Sequence, residues 1–404
     1  MRGVKLKLLL VAALVLWQGC AWAQMNHNHV SEAACDQIDL RCASKVTPAF
    51  GPDGTLWLAW MAGGQVLVAS SRDQSHSFSA PVRVTRENLD LDWGPDARPK
   101  IVVDREGRIS LAFSIFRDKA FNGEVLFTHS ADGGKSFAEP RPITPDKESQ
   151  RFEALALDAD GTVFAAWLDK RNRVAAQQNG QKYEGSGLFF AVSKDGGASY
   201  SDARMVKDNT CECCRLAIAF DGPGRPVVLF RNIFEGGIRD HAIVTFKDLA
   251  TPGEVHRVSR DEWQIAACPH QGPSLAISQN GSFHAVWYTN GKERKGLFYA
   301  RSRDGGKTFS DPLPIGRPDH APSRPYILAG PRGLALVWKE FDGEKTTVDL
   351  MVSHDDGQSW SAPRTIAATT DASDHPLLIS DGRRTYLSWM TKADGFHLQP
   401  LEDE

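Results

Sequence analysis

The sequence predicts an all-β ring of seven repeats, a β-propeller, with six blades as the alternative count. Two observations carry this. An eight-residue phrase, Ser-x-Asp-x-[Gly/Ser]-x-[Ser/Thr]-aromatic, is written five times with small variations, at Ser71–Phe78, Ser130–Phe137, Ser193–Tyr200, Ser302–Phe309 and Ser353–Trp360. An apolar run, a turn and an apolar–aromatic run recur around glycines 54, 107, 161, 224, 281, 333 and 382. A repeat of roughly 50 residues points to a solenoid, a propeller or an array.

The elements follow in chain order. Residues 1–23 read as a leader: Arg2, Lys5 and Lys7 precede the apolar run Leu8–Trp17, and Ala21-Trp22-Ala23 fits signal peptidase. Cleavage before Cys20, giving a lipoprotein, is the weaker rival because Trp17 sits poorly in that motif. Residues 24–43 form an N-terminal segment in which Met25, His27 and His29 could capture metal. Residues 44–404 are expected to be one propeller domain. No later stretch is long and apolar enough to cross a membrane, so the chain is expected to be exported, periplasmic or secreted.

Each unit opens as a hairpin. "TPAFGPDGTLWLAW" in the first and "SLAISQNGSFHAVW" in the fifth place short β-rich runs on either side of a Gly turn. The repeated phrase follows, and a run such as "SAPVRVT" supplies the outer strand, making about four strands per unit, as in a propeller blade. In the phrase, Asp73, Asp132, Asp195, Asp304 and Asp355 can accept hydrogen bonds from nearby backbone amides, so each reads as a structural turn. The fourth unit lacks a clean copy. The seventh ends after about three strands, and its outer strand is expected from the segment near Cys35–Lys45.

A net charge of −3 argues against nucleic acid as a partner. Of the seven cysteines, Cys20 falls in the leader. An even remainder in an oxidising compartment reads first as disulfides: Cys35–Cys42, Cys211–Cys268 and a strained Cys213–Cys214 are the candidates. Register offers another reading. Aligning Gly224 on Gly281 drops Cys211 onto Cys268 and Cys213 onto His270, and the next blade places His320 in the same column. Equivalent positions on neighbouring inner strands lie side by side. Cys211, Cys213, Cys268 and His270, with Cys214 and His320 nearby, then form a thiolate–imidazole cluster suited to Cu(I) or Zn(II).

The repeated phrase resembles the Asp box, or BNR repeat, of the sialidase superfamily, and the resemblance covers nearly all of the mature chain. It implies a sialidase-like propeller of six blades with the boxes away from the active face. It also implies an Arg-[Ile/Leu]-Pro motif, an acid/base Asp, a Tyr–Glu nucleophile pair and two further arginines that clamp a carboxylate. Arg98 and Pro99 in "ARPK" match the Arg motif without its middle residue, and Asp118 in "FRDKAFNG" falls where the acid/base Asp would lie. The Glu position reads "PHQGP", giving His270 or Gln271. The Tyr position reads "SDHPLL", giving His375, with Tyr326 in "SRPYIL" one unit early. Arg151, Arg215, Arg294 and Arg324 could join Arg98 in a cationic ring for a small anionic ligand. The alternative is that they pair with Asp96, Glu153 and Asp374.

Three functions stay open. The first is an exported, non-hydrolytic propeller with a Cys/His metal site, copper foremost. The second is a sialidase-like exo-glycosidase acting on anionic sugars through Arg98, Asp118, Arg324 and Tyr326. The third is a glycan- or protein-binding propeller braced by disulfides. The sequence leaves no trace of oligomeric state.

Overall fold

Seven antiparallel sheets are arranged in a ring in the computed structural model, which describes residues 39–401 except 95, 266 and 268. Six sheets have four strands in sequence order and the seventh has three. The first strand of each sheet touches the first strand of the next, and the last, Leu377–Ser380, returns to the first, Val46–Phe50. The seven-blade count holds and the six-blade alternative does not. Residues 1–23, expected to be a leader, and Met25, His27, His29, Cys35 and Cys268 lie outside the described residues.

The ring follows from the alternation in each unit. The second strands each carry a large aromatic in their latter half: Trp60, Phe113, Trp167, Phe230, Trp287, Trp338 and Trp389, all buried. These bury apolar surface on both faces of a blade, so each blade is stable only between two neighbours. Seven apolar clusters result, one at each blade interface, including the junction of blade 7 with blade 1 (Val46, Leu58, Met390, Leu398).

The five copies of the repeated phrase form one turn five times, between the third and fourth strands. In the blade 2 copy, Ser130 Oγ donates to Asp132 Oδ1 at 2.8 Å, the Ser136 amide donates to the same oxygen at 3.0 Å, and Ser136 Oγ reaches Oδ2 at 2.6 Å. The other four repeat these bonds within about 0.2 Å of the same lengths, as a backbone-capping carboxylate should. Gly134, at φ +77°, shows why glycine recurs there: a Cβ would lie 2.4 Å from the Trp57 ring of blade 1. Because the strands run antiparallel, these turns lie at the end of the ring opposite the starts of the inner strands.

The segment expected to close the ring, near Cys35–Lys45, lies partly outside the described residues; within residues 39–45 no strand joins blade 7. Asp39 caps the Arg41 amide and turns the chain into a 3₁₀ helix, Leu40–Cys42. Leu40 and Cys42 then pack in one cluster with Phe396 and Leu398 of the outermost strand, Gly395–Pro400. Closure falls instead to Asp374 of blade 7. It accepts the Val46 amide of blade 1 at 3.1 Å and the Arg98 guanidinium of blade 2 at 2.6 Å.

Candidate functional site

The inner strands begin around a cavity of about 180 Å³ at one mouth of the ring. Its wall carries Asp96, Arg98, Lys100, Arg215, Arg324, Tyr326 and His375. Each stands just before, or in the first residues of, an inner strand, so the propeller itself brings blades 2, 4, 6 and 7 to one point.

Asp96 organises this mouth. Its fully buried carboxylate accepts Arg324 Nη1 at 2.6 Å, Arg215 Nη1 at 3.1 Å and the Gly272 amide at 3.2 Å, and lies 4.0 Å from His375 Nδ1. Arg98 is bound to Asp374 and to the Val46 carbonyl. Arg151 sits bidentate on Asp92 at 2.6 and 2.9 Å, between the rings of Phe116 and Phe152. The arginines of the mouth are therefore matched by carboxylates. Among the described residues Glu153 pairs with no arginine: it accepts Ser114 Oγ, burial pushes its carboxyl up, and Lys100 offsets part of that. His375 is held well below its usual range by burial and by Arg324, Arg98 and Arg215, so it is a neutral imidazole.

Three expected residues are not in the cavity wall: Arg151, held on Asp92, and Asp118 and Arg294. Asp118 lies in an exposed turn after the strand Ile109–Phe116, where it accepts the Ala120 and Asn122 amides and Asn122 Nδ2. Those bonds lower its pKa, the wrong direction for a general acid. Arg294 is drawn into the loop between the second and third strands of blade 5 by Asp261 at 2.5 Å and Ser259 at 2.6 Å. Tyr326 does line the cavity, and its hydroxyl forms no hydrogen bond among the described residues. Burial raises its pKa, and Arg98 and Arg215 pull it down. Among the described residues no Glu lines the cavity, and Gln271 stands outside its wall, where its Oε1 accepts the Arg324 amide at 3.4 Å.

A second constellation adjoins the cavity, one residue before Arg215. The Sγ atoms of Cys211, Cys213 and Cys214 lie within 4.8 Å of one another, with Cys211 and Cys213 at 3.9 Å. Each residue is 2% exposed, inside the apolar cluster between blades 3 and 4. They stand as thiols, so the vicinal Cys213–Cys214 disulfide is not formed, nor is a bridge from Cys211. A metal–sulfur bond of about 2.3 Å would set thiolates roughly 3.8–4.0 Å apart in tetrahedral or trigonal geometry, so the Cys211–Cys213 pair already has that spacing. Arg239 Nη1 donates to Cys211 Sγ at 3.5 Å. Cys211 is held well below the ordinary thiol range because Cys213 and Cys214 donate to it, with Arg231 and Arg239 adding to the effect. Cys214, as a donor to Cys211, is pushed up.

His270 borders this cluster. Burial pushes its imidazole down, and Asp96 and Cys214 offset part of the shift. Its ring leans on Phe152 at 5.9 Å between centroids, and it adopts a left-handed φ of 48°. Phe152 (59°), Asn209 (53°) and Arg324 (56°) share that conformation around the mouth, and such strain in non-Gly residues gathers at functional sites. His320 is not brought to the thiols. Its 3₁₀ turn, Pro318–His320, stands ahead of blade 6 and sets the ring 3.8 Å from both Asp319 and Glu340. Register arithmetic failed there because the turn departs from the strand geometry it assumed.

Reading the sequence missed Arg231 and Arg239, which supply positive charge beside the thiols. Arg231 ends the otherwise apolar strand Pro226–Arg231, and a charge closing a buried run was the available signal. Its guanidinium is buried and, among the described residues, donates to the carbonyls of Arg239, Gln271 and Tyr288. It also packs over Trp263 at 4.4 Å.

No family model matches the chain, and no curated protein sequence matches it. Solved structures similar to it include a protein of unknown function from Dyadobacter fermentans DSM 18053, at 18% identity and a TM-score of 0.53, covering 75% of this chain and 92% of that one. A PL25 ulvan lyase is 12% identical, with a TM-score of 0.55, over 89% and 93% of the two chains. A Hadza microbial sialidase is 13% identical, with a TM-score of 0.52, over 85% and 76%. At such identities the likeness is one of fold: this is an all-β, seven-bladed propeller of the sialidase-like kind. Among the described residues no helix is long and apolar enough to cross a membrane.

Proposed function

We propose that this chain is an exported propeller that holds a soft metal ion, Cu(I) foremost and Zn(II) next, on a thiolate centre at the channel mouth, and that it does not hydrolyse glycans. One observation carries the reading: three buried thiols converge within 4.8 Å. Thiolates select Cu(I) and Zn(II) over Mg(II) and Ca(II). Cys211, Cys213 and Cys214 would hold the ion, Cys268 and His270 are the expected further ligands, and Arg231 and Arg239 offset the thiolate charge. The mouth supports the non-hydrolytic part. Its arginines are matched by Asp96, Asp92 and Asp374, and Asp118 is spent on a turn.

The test is the metal and thiol content of the mature protein, purified from the exported fraction without chelators. About one copper or zinc per chain, lost on Cys213→Ser, is expected. Protein without metal, and with all its cysteines oxidised, would sink the reading.

A second reading rests on the cavity. Its volume and its wall of Arg98, Lys100, Arg215 and Tyr326 suit an anionic sugar, and one structural neighbour is a sialidase and another a polysaccharide lyase. Turnover of an aryl sialoside or uronide, unaffected by chelators, would favour it.

A further inference from the structure

The thiols are buried, so whatever reaches them needs a way in. Toward the cavity the lining carries four cations, Arg98, Lys100, Arg215 and Arg324, against one carboxylate, Asp96, that is already engaged by two of them, a poor approach for a cation. Against the segment that carries the cysteines lies an insertion between the second and third strands of blade 3, residues 170–185, which contains the helix Arg171–Gln178. This helix buries only Ala176, so apolar packing holds it weakly.

Arg171 anchors the start of the insertion on Asp169 and Thr144, and the rest is tied by polar bonds to the segment that carries the cysteines. Glu212, between Cys211 and Cys213, takes Arg173 Nη1 at 2.6 Å and Lys170 Nζ at 3.2 Å. Asp208 takes Asn172 Nδ2 at 3.0 Å and the Tyr183 hydroxyl. Asn209 Oδ1 takes the amides of Glu184 and Gly185 at 3.1 and 3.0 Å. The Glu212 carboxylate thus points away from the sulfurs and into the insertion, although its backbone lies among them.

We infer that Glu212 is a positioning residue of the thiol centre: with Arg173 and Lys170 it forms an ion-pair latch that keeps the blade 3 insertion closed over Cys211, Cys213 and Cys214. Releasing the pair frees the insertion and opens a path to the sulfurs past Glu212 and Asp208, two carboxylates that attract a cation. Access is then governed by a local opening of the insertion rather than by unfolding of the ring. The identity of the incoming ion rests on the thiolate–metal reading; the latch does not.

The test uses the full mature chain, reduced and held without oxygen. A neutral thiol reagent, 4,4′-dithiodipyridine, is applied, and the modified cysteines are mapped by mass spectrometry. Glu212→Gln and Arg173→Met are each expected to speed labelling of the Cys211–Cys214 peptide by roughly five- to tenfold, the scale of losing one partly buried ion pair. The rate should be insensitive to low denaturant, and Tm should stay near wild type. Arg86→Met, which removes the exposed pair with Glu139 at the edge of blade 1, should change nothing. Unchanged labelling in both latch variants would overturn the proposal, as would acceleration that merely tracks lost Tm. Transfer of pre-loaded Ag(I) to a competing chelator should accelerate by the same factor. If labelling accelerates but the wild type retains no Ag(I) or Cu(I), the latch stands and the metal reading falls.

Discussion

Arg98 and Asp374 meet at 2.6 Å although 276 residues separate them, and their ion pair ties blade 2 to blade 7 across blade 1. The same carboxylate holds the Val46 amide, and Arg98 Nη1 holds the Val46 carbonyl at 3.1 Å. Both side chains are almost fully buried. No strand from the N-terminal segment completes blade 7 among the described residues, so this junction carries the closure.

Removing one partner of such a pair leaves the other charge buried and unmatched, at a cost of about 3–5 kcal/mol. Asp374→Ala is expected to lower the unfolding free energy by that amount, read as a fall in the urea midpoint at unchanged m-value. Asp374→Leu combined with Arg98→Met is expected to cost less than Asp374→Ala alone, because no orphaned charge remains. Equilibrium unfolding of the three proteins checks this; a double variant worse than the single would show that packing dominates.

The repeated turns make the fold acid-sensitive. Asp73, Asp132, Asp195 and Asp304 are held at about 2, against an ordinary 3.8; serine and threonine donors lower them all, with burial of Asp195 working against the shift. A depressed carboxyl contributes stability that is complete above its unfolded pKa and is lost as pH falls through the folded one. Stability should therefore decline between about pH 4 and pH 2. Glu153, raised by burial, works in the opposite direction. Urea midpoints from pH 7 down to pH 2 read this out. With all four aspartates changed to Asn, the decline should flatten.

The fold was legible because it is written in local chemistry. The Ser–Asp turn, the glycines at positive φ and the aromatic in the latter half of each second strand depend on a few adjacent residues, and they recur. The thiol site was partly legible for the same reason: Cys211, Cys213 and Cys214 are neighbours in sequence. What failed needed distance. Asp118 matched a position but is consumed by its own turn. His320 matched a column but sits on a 3₁₀ turn outside the strand. Whether Asp96 would neutralise Arg215 and Arg324, or Asp92 would clamp Arg151, depends on how blades far apart in sequence face one another, and no repeat encodes that.

Substitution at the thiols should separate binding from folding. Propeller stability is spread over seven interfaces, and the three cysteines contribute to one of them. Cys213→Ser is expected to abolish retention of Cu(I) while lowering Tm by only a few degrees, in line with about 1 kcal/mol for a small buried change. Arg239→Gln, which removes the donor 3.5 Å from Cys211, should weaken Cu(I) binding without eliminating it. Metal analysis beside thermal unfolding distinguishes the two. Global unfolding of Cys213→Ser would mean that the cluster braces the ring instead.

The cavity gives the last prediction. Asp96 is the only carboxylate bonded to both Arg215 and Arg324 among the described residues. Asp96→Asn should leave two guanidiniums without a counter-charge beside Arg98 and Lys100. If the mouth is a charge-balanced structural hub, the variant should lose about 3–5 kcal/mol of stability, and adding a small carboxylate such as acetate should restore part of its Tm by binding the bared arginines. The wild type, whose arginines are already engaged, should show no such rescue and no hydrolysis of an aryl sialoside. Rescue of the wild type by the same anion, or turnover abolished by Tyr326→Phe, would instead make the mouth a working anion site and return the glycosidase reading to the front.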